Sequence, residues 1–204
     1  MSNGQSTIVL PCCYLAPVSH YRAYYRAGEV QLEVCSHFVR QAHCNRCYID
    51  SPSGALALTV PVVRAEGKTL MRDIRISDHG NWRHRHWVAL ESSYSQSPFF
   101  EYYADDFAPF YERKWTFLAD YNEEMMMLVA SLLDISKPVA RTTGCTPPPA
   151  SPKEAVAAQA PSAFLGDSNV RPYYQVFASR HGFLPDLSIV DLLFNQGPEG
   201  VLWL

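Results

Sequence analysis

Apolar and polar residues alternate or recur along this chain with periods that name its elements. Residues 7–15, Thr-Ile-Val-Leu-Pro-Cys-Cys-Tyr-Leu, form a continuous apolar run, which predicts a buried strand leading to a turn at Pro17. Ser19 is then placed to cap a short helix over residues 20–27, ended by Gly28. Val30, Leu32 and Val34 alternate with polar residues, the mark of a half-buried strand over 29–36. Residues 41–49 and 55–63 predict two further strands around the turn sequence Ser51-Pro-Ser-Gly54. A short strand is expected over 71–76.

The period then lengthens. Trp82, His86, Leu90 and Tyr94 are four apart and share one face of a helix over 82–95, with Asp78 or Asn81 at its cap. Pro98 breaks this helix, and residues 99–107 are aromatic and acidic. With Pro109 at its first turn, a long helix is expected to run to about Asp134. Its stripe is Phe110, Lys114, Phe117, Leu118, Tyr121, Met125, Leu128, Val129 and Leu132, apolar except at Lys114. Between 138 and 172 the pattern disappears, and seven of the fifteen prolines fall there. Periodic segments return at 173–181, ended by Gly182, and at 187–195, with Asp186 or Ser188 near the cap.

Strand, loop, helix and strand in succession predict an α/β fold. The expected form is an N-terminal mixed sheet with a Rossmann-like strand–loop–helix opening and a helical second half. Three regions are expected: an α/β core with helices over 1–136, a Pro-rich mobile linker or lid over 137–172, and a C-terminal segment over 173–204 packing back on the core.

Composition narrows the function classes. The chain has 204 residues, 48% hydrophobic and 18% charged, with net charge −3, so it carries enough apolar surface to fold. That balance argues against a basic nucleic-acid binder. No secretory signal or run of about 18 apolar residues is visible, so a cytoplasmic protein without a membrane span is expected. The six cysteines are then reduced. On a strand the thiols of Cys44-Asn-Arg-Cys47 would point to opposite faces, which suits two buried residues better than a metal site. No P-loop, dinucleotide fingerprint or nucleophile elbow is present.

Four groups of residues can carry chemistry. Asn45 and Arg46 form a polar couplet on an apolar strand, where Arg46 offers a planar fork to a phosphate or carboxylate or else pairs with a structural acid. His86, on the Trp82 face, is either a base for reaction near neutral pH or a packed core histidine. Arg83 and Arg85 are solvated or face phosphate, with solvation the simpler reading. Glu101, Asp105 and Asp106 suit a helix start, although paired carboxylates can also hold Mg²⁺.

Four blocks resemble the WbqC-like family. They are Leu10-Pro-Cys-Cys-Tyr-Leu-Ala-Pro17; Gln41-Ala-His-Cys-Asn-Arg-Cys-Tyr-Ile49 with Leu58-Thr-Val-Pro-Val62; Trp82 through His86-Trp87 to Ser97-Pro-Phe-Phe-Glu-Tyr-Tyr103; and Tyr173-Tyr-Gln-Val-Phe177 with His181-Gly-Phe-Leu-Pro-Asp-Leu-Ser-Ile189 and Asp191-Leu-Leu-Phe-Asn195. The last two look like the branch common in Bacteroidetes-type bacteria. The resemblance implies a bacterial role in O-antigen or other lipopolysaccharide biosynthesis. It suggests a glycine (acyl) transferase or an ATP-dependent amide-forming enzyme acting on an amino sugar. A sugar-nucleotide or amino-sugar substrate and ATP with Mg²⁺ as cofactor would follow. By position the family's Asn-Arg couplet falls on Asn45 and Arg46, its helix histidine on His86 and its first-loop tyrosine on Tyr14. With Trp82 these give His86 as the expected base and Tyr14, Asn45, Arg46 and Trp82 as the expected substrate-binding residues. The chain departs from the family at His20 and at Cys12-Cys13. The rival expectation is a non-catalytic binding or assembly protein with a partner protein on its aromatic helices.

Overall fold

Parallel strands organise the N-terminal part of the molecule. The computed structural model describes residues 7–40, 42–64, 69–144 and 171–204. Strand β1 (Thr7–Pro11), helix α1 (Val18–Arg26) and strand β2 (Glu29–Glu33) form a right-sized crossover unit, and β2 pairs in turn with a strand from far along the chain, β5 (Val139–Arg141). The order is β1-β2-β5, with both pairings parallel. Strands β3 (Arg46–Ile49) and β4 (Leu56–Thr59) form a separate antiparallel hairpin. The α/β class is thus as expected, with its strands divided between a parallel sheet and a hairpin. Ser51-Pro-Ser-Gly54 makes the hairpin turn: Gly54 N–H donates to the Ser51 carbonyl at 3.0 Å, and Gly54 takes φ +97°, which glycine alone adopts cheaply.

Several boundaries differ from the pattern, each for a local reason. Strand β1 stops at Pro11, and residues 12–16 form the loop over the sheet's C-terminal edge. Helix α1 begins at Val18, so Ser19 lies inside its first turn and does not cap it. The helix ends before Gly28, at Arg26, because Ala27 is already extended. Residues 71–76 give a 3-10 turn, Met71–Asp73, rather than a strand. Around it, Val62 pairs with Ile76 and Arg75 with Phe117 in single bridges.

The helical half holds α2 (Trp82–Tyr94), α3 (Phe100–Glu112) and α4 (Leu118–Leu132). The long helix expected over 110–134 is therefore two. Ile76 N–H donates to the Thr116 carbonyl at 3.0 Å and Leu118 N–H to the Ile74 carbonyl at 2.9 Å, which holds 116–118 extended. Trp115 turns back to stack on Phe110 at 5.5 Å, with the Arg113 guanidinium 3.9 Å from the Trp115 ring and 5.9 Å from that of Phe110. Pro109 lies inside α3, near its end, not at a helix start. Phe100, Tyr103, Phe107 and Tyr111 form the buried face of α3. Glu101, Asp105 and Asp106 are exposed on the other side.

The last described stretch contributes α5 (Ala178–His181), shorter than the expected helix over 173–181, then α6 (Ile189–Gln196) and the 3-10 turn Gly197–Trp203. It lies against the opening loop: Val18 N–H donates to the Leu187 carbonyl at 3.0 Å, and Ile189 N–H to the Ala16 carbonyl at 2.9 Å. Of the expected Pro-rich linker, Val139–Arg141 is strand β5, and residues 145–170 lie outside the described residues. No described helix is long and apolar enough to cross a membrane.

Candidate functional site

Tyr14, Trp82 and His86 meet in the interior. The loop after β1 carries Tyr14 inward, and the apolar face of α2 carries Trp82 and His86 one turn apart. The Tyr14 hydroxyl lies 3.0 Å from His86 Nδ1 and 3.0 Å from the Tyr111 hydroxyl. The rings of Trp82 and His86 are 5.1 Å apart, edge to face, and Tyr121 of α4 stacks on Tyr14 at 5.7 Å. Trp82 is fixed by its own indole N–H, which donates to the Ser77 carbonyl at 2.9 Å.

This environment sets the protonation of the group. Burial pushes His86 down from 6.5 to about 4, against the backbone of Thr59, which favours its protonated form. His86 is therefore neutral near pH 7 and suited to accepting a hydrogen bond from Tyr14. Burial pushes the Tyr14, Tyr111 and Tyr121 phenols well up, so all three remain hydroxyls, and Tyr14 and Tyr111 share their hydrogen bond without ionising.

Strand parity separates Arg46 from this group. On β3, Cys47 and Ile49 face inward while Arg46 and Tyr48 face outward. Arg46 Nε donates to Thr59 Oγ1 at 2.8 Å across the hairpin, and no carboxylate pairs with Arg46 among the described residues. The link to His86 runs through Thr59, which Arg46 touches by its side chain and His86 by its backbone. Asn45 is buried, and its amide donates to the Val60 carbonyl at 2.9 Å while Val60 N–H donates to the Asn45 carbonyl. It extends the hairpin ladder, and its Oδ1 has no partner among the described residues.

Cys44 is in the turn before β3, not on the strand. Its thiol donates to the Val39 carbonyl at 3.1 Å, and burial raises it to about 12; Cys47 is raised likewise. Neither is a ready nucleophile. His20 is buried against the Pro11 carbonyl at 3.0 Å and is lowered to about 4 by desolvation.

The cluster adjoins an opening through Tyr111. A groove of about 370 Å³ runs between α2 and α3, lined by Asn81, Arg83, His84, Trp87, Ala108, Tyr111 and Glu112. Tyr111 borders this groove and also hydrogen-bonds to Tyr14. None of the five expected site residues lines it. The pattern Phe100, Tyr103, Phe107, Tyr111 was the signal that Tyr111 shares a helix face with core residues.

A second buried cluster was also missed. Asp191, fully buried on α6, accepts from the Tyr94 hydroxyl at 2.9 Å, the Tyr173 hydroxyl at 2.7 Å and Gln175 Nε2 at 2.8 Å. Desolvation raises it to about 6. Nearby, His181 Nε2 lies 3.0 Å from Asp50 Oδ1, and burial raises Asp50 against the pull of His181. The clue was an acidic residue inside the apolar run that opens this helix, Ile-Val-Asp-Leu-Leu-Phe.

With this geometry in view, known proteins give two likenesses. The model of the WbqC-like protein family matches residues 21–162. The chain is also 32% identical over 184 residues to Uncharacterized protein Rv1507c of Mycobacterium tuberculosis (strain ATCC 25618 / H37Rv), covering 76% of this chain and 78% of that protein. No solved structure matches.

Proposed function

From the premise that the chain belongs to the WbqC-like protein family, we propose an enzyme of bacterial surface-polysaccharide (O-antigen) assembly that transfers an acyl group, glycyl in the simplest case, to an amino sugar. The observation that carries this reading is the hydrogen-bonded line from Tyr111, at the groove, through Tyr14 to neutral His86. As the amide bond forms, the bond from the acyl group to its activating group breaks and the departing group takes the amine's proton; the line of hydroxyls, backed by a neutral imidazole, orients the amine by hydrogen bonding and keeps water out. In this reading the amino sugar sits in the groove, Tyr111 touches it, and Tyr14 and His86 act behind Tyr111. Trp82 holds the imidazole edge to face. Arg46, half-exposed and without a carboxylate partner among the described residues, serves a carboxylate or phosphate of the acyl donor. Asn45 steadies the hairpin that presents it. Where the acyl group is activated in place, ATP with Mg²⁺ supplies the activation.

The test is product mass. The chain is incubated with glycine, ATP, Mg²⁺ and nucleotide-linked amino sugars, and an acylated sugar is sought by mass spectrometry. The expected result is a product that falls at least about tenfold in Tyr111→Phe and in Arg46→Ala, the loss of about 1.4 kcal/mol of transition-state binding. Absence of any product across the donor panel overturns the enzyme. It favours the rival reading, a binding or assembly protein, which the depth of Tyr14 and His86 also supports.

A further inference from the structure

We propose that residues 175–184 form a proton-operated clasp on the hairpin: the loop closes over the Asp50 carboxylate when His181 is protonated and loosens when it is not. The clasp does not depend on the proposed reaction. The loop is tied to itself at its two ends. Gln175 Nε2 donates to the Leu184 carbonyl at 2.9 Å, and Gln175 Oε1 accepts the Leu184 N–H at 2.8 Å. Between these ends lie α5 and Gly182, which takes φ +80°. The loop meets the body at Asp50, whose side chain is 1% exposed and follows the last residue of β3. Both the His181 imidazole and the Phe177 backbone favour the charged form of this carboxylate.

The surroundings of the imidazole fix its charge. His181 Nε2 lies 3.0 Å from Asp50 Oδ1 and 3.2 Å from the Ser51 carbonyl, and Nδ1 lies 3.0 Å from the Gly182 carbonyl. All three neighbours are acceptors. A neutral imidazole has one N–H and one lone pair, so one ring nitrogen would face an oxygen with nothing to donate. An imidazolium donates from both nitrogens and places its charge on the carboxylate. The titratable groups packed around the pair are Tyr94 from α2, Tyr173 ahead of the loop and Asp191 from α6. Burial keeps both phenols as hydroxyls. Burial also raises Asp50 and Asp191, and the charge of Asp50 raises Asp191 further. Arg180 lies over the Phe177 ring at 5.8 Å, so His181 is the cation of this loop that meets a carboxylate. Closure therefore takes up a proton. It weakens as pH rises through the range where histidine gives up its charge. In stronger acid, protonation of Asp50 removes the pair from the other side.

Amide hydrogen exchange of the full chain, corrected for its intrinsic dependence on pH, reads the clasp. The Phe177 N–H faces Asp50, and those of Ala178, Arg180 and Gly182 are bonded within the loop, so their protection follows its closure. In the parent, these amides should be at least about threefold better protected at pH 6 than at pH 8, while those of α3 hold steady. His181→Gln should remove this excess by leaving the loop open at both pH values. His181→Lys, which keeps the charge, should remove it by leaving the loop closed at both. The His181 side chain is partly exposed, so both variants keep the fold. Asp191 is common to all three proteins, and its own response to pH remains in each. Equal protection of the parent at the two pH values, an undiminished ratio in His181→Gln, or a His181→Lys loop as open as that of His181→Gln overturns the clasp. The readout involves no substrate, so failure of the acyl transfer leaves the clasp standing.

Discussion

Asp186 closes the N-terminus of α1 from the other end of the chain: its carboxylate accepts the Ser19 backbone N–H at 2.8 Å and the Ser19 hydroxyl at 2.8 Å. Ser19, expected to cap the helix, is instead the residue that is capped. The contact joins the C-terminal segment to the loop that carries Tyr14. Asp186→Ala should lower unfolding stability by about 1–2 kcal/mol, the usual worth of a lost cap. Asp186→Asn should cost less, because one oxygen still accepts. Urea titration of the three proteins checks the order.

Removing the Tyr14 hydroxyl leaves His86 Nδ1 and the Tyr111 hydroxyl facing a gap. Tyr14→Phe should therefore cost about 1–3 kcal/mol, the cost of unpaired buried polar groups, with little change in packing. In a double-mutant cycle with Tyr111→Phe the two losses should not add. Additive losses would mean that the hydroxyls do not form one line.

Acid should act on His86 and Asp191 in opposite senses. His86 is lowered in the folded protein, so the unfolded chain takes the proton first, and its stabilising share is present above pH 6.5 and lost as pH falls to about 4. The drop corresponds to about 3 kcal/mol. His86→Gln should thus lose less stability than the parent between those pH values. Asp191 is raised to about 6, so its share is full below its unfolded value and lost as pH rises through about 6. Asp191→Asn should accordingly show less gain on acidification. Thermal denaturation across pH 4 to 7 reads both differences.

Asp191 also holds the C-terminal segment. Asp191→Ala would strand the donors of Tyr94, Tyr173 and Gln175 at once, at a cost above about 3 kcal/mol. Limited proteolysis should then cut within 171–204 well before the parent is cut there. Equal cutting rates would place the anchor elsewhere.

Gly197 takes φ +61° after α6, and a Cβ there would meet the Phe99 ring at 2.6–2.8 Å. Gly197→Ala should cost at least about 2 kcal/mol from backbone strain and overlap together. Phe99→Ala would relieve the overlap but not the strain, so the pair should recover only part of the loss.

Strand β2 and helix α2 were legible because their side chains repeat at one period over the whole element, β1 because it is a continuous apolar run, and the hairpin turn because Ser51-Pro-Ser-Gly54 has turn chemistry. The sequence concealed the break between α3 and α4. Apolar positions continue through it, and only Lys114 departs from the stripe, while the interruption is made by pairing with residues 74–76. Tyr14, Trp82 and His86 could be brought together because face and loop position are local properties. The separation of Arg46 from them turned on where β3 begins, since one residue of parity decides which of Arg46 and Cys47 points inward. The Asp191 cluster draws on three segments, α2, residues 173–175 and α6, and had no local period to reveal it.

The pairing of Leu32 with Arg141 has a consequence for how the chain reaches this state. Emerging from a ribosome, β1, α1 and β2 can meet early, but the third strand arrives only after the whole helical half has been made. Asp186 arrives later still. Until then the opening crossover has an unpaired sheet edge and an uncapped helix, the kind of surface on which chaperones act. Slow closure over such separations is the expected rate-limiting event. The last sixth of the chain, on this view, is the clasp that ends folding.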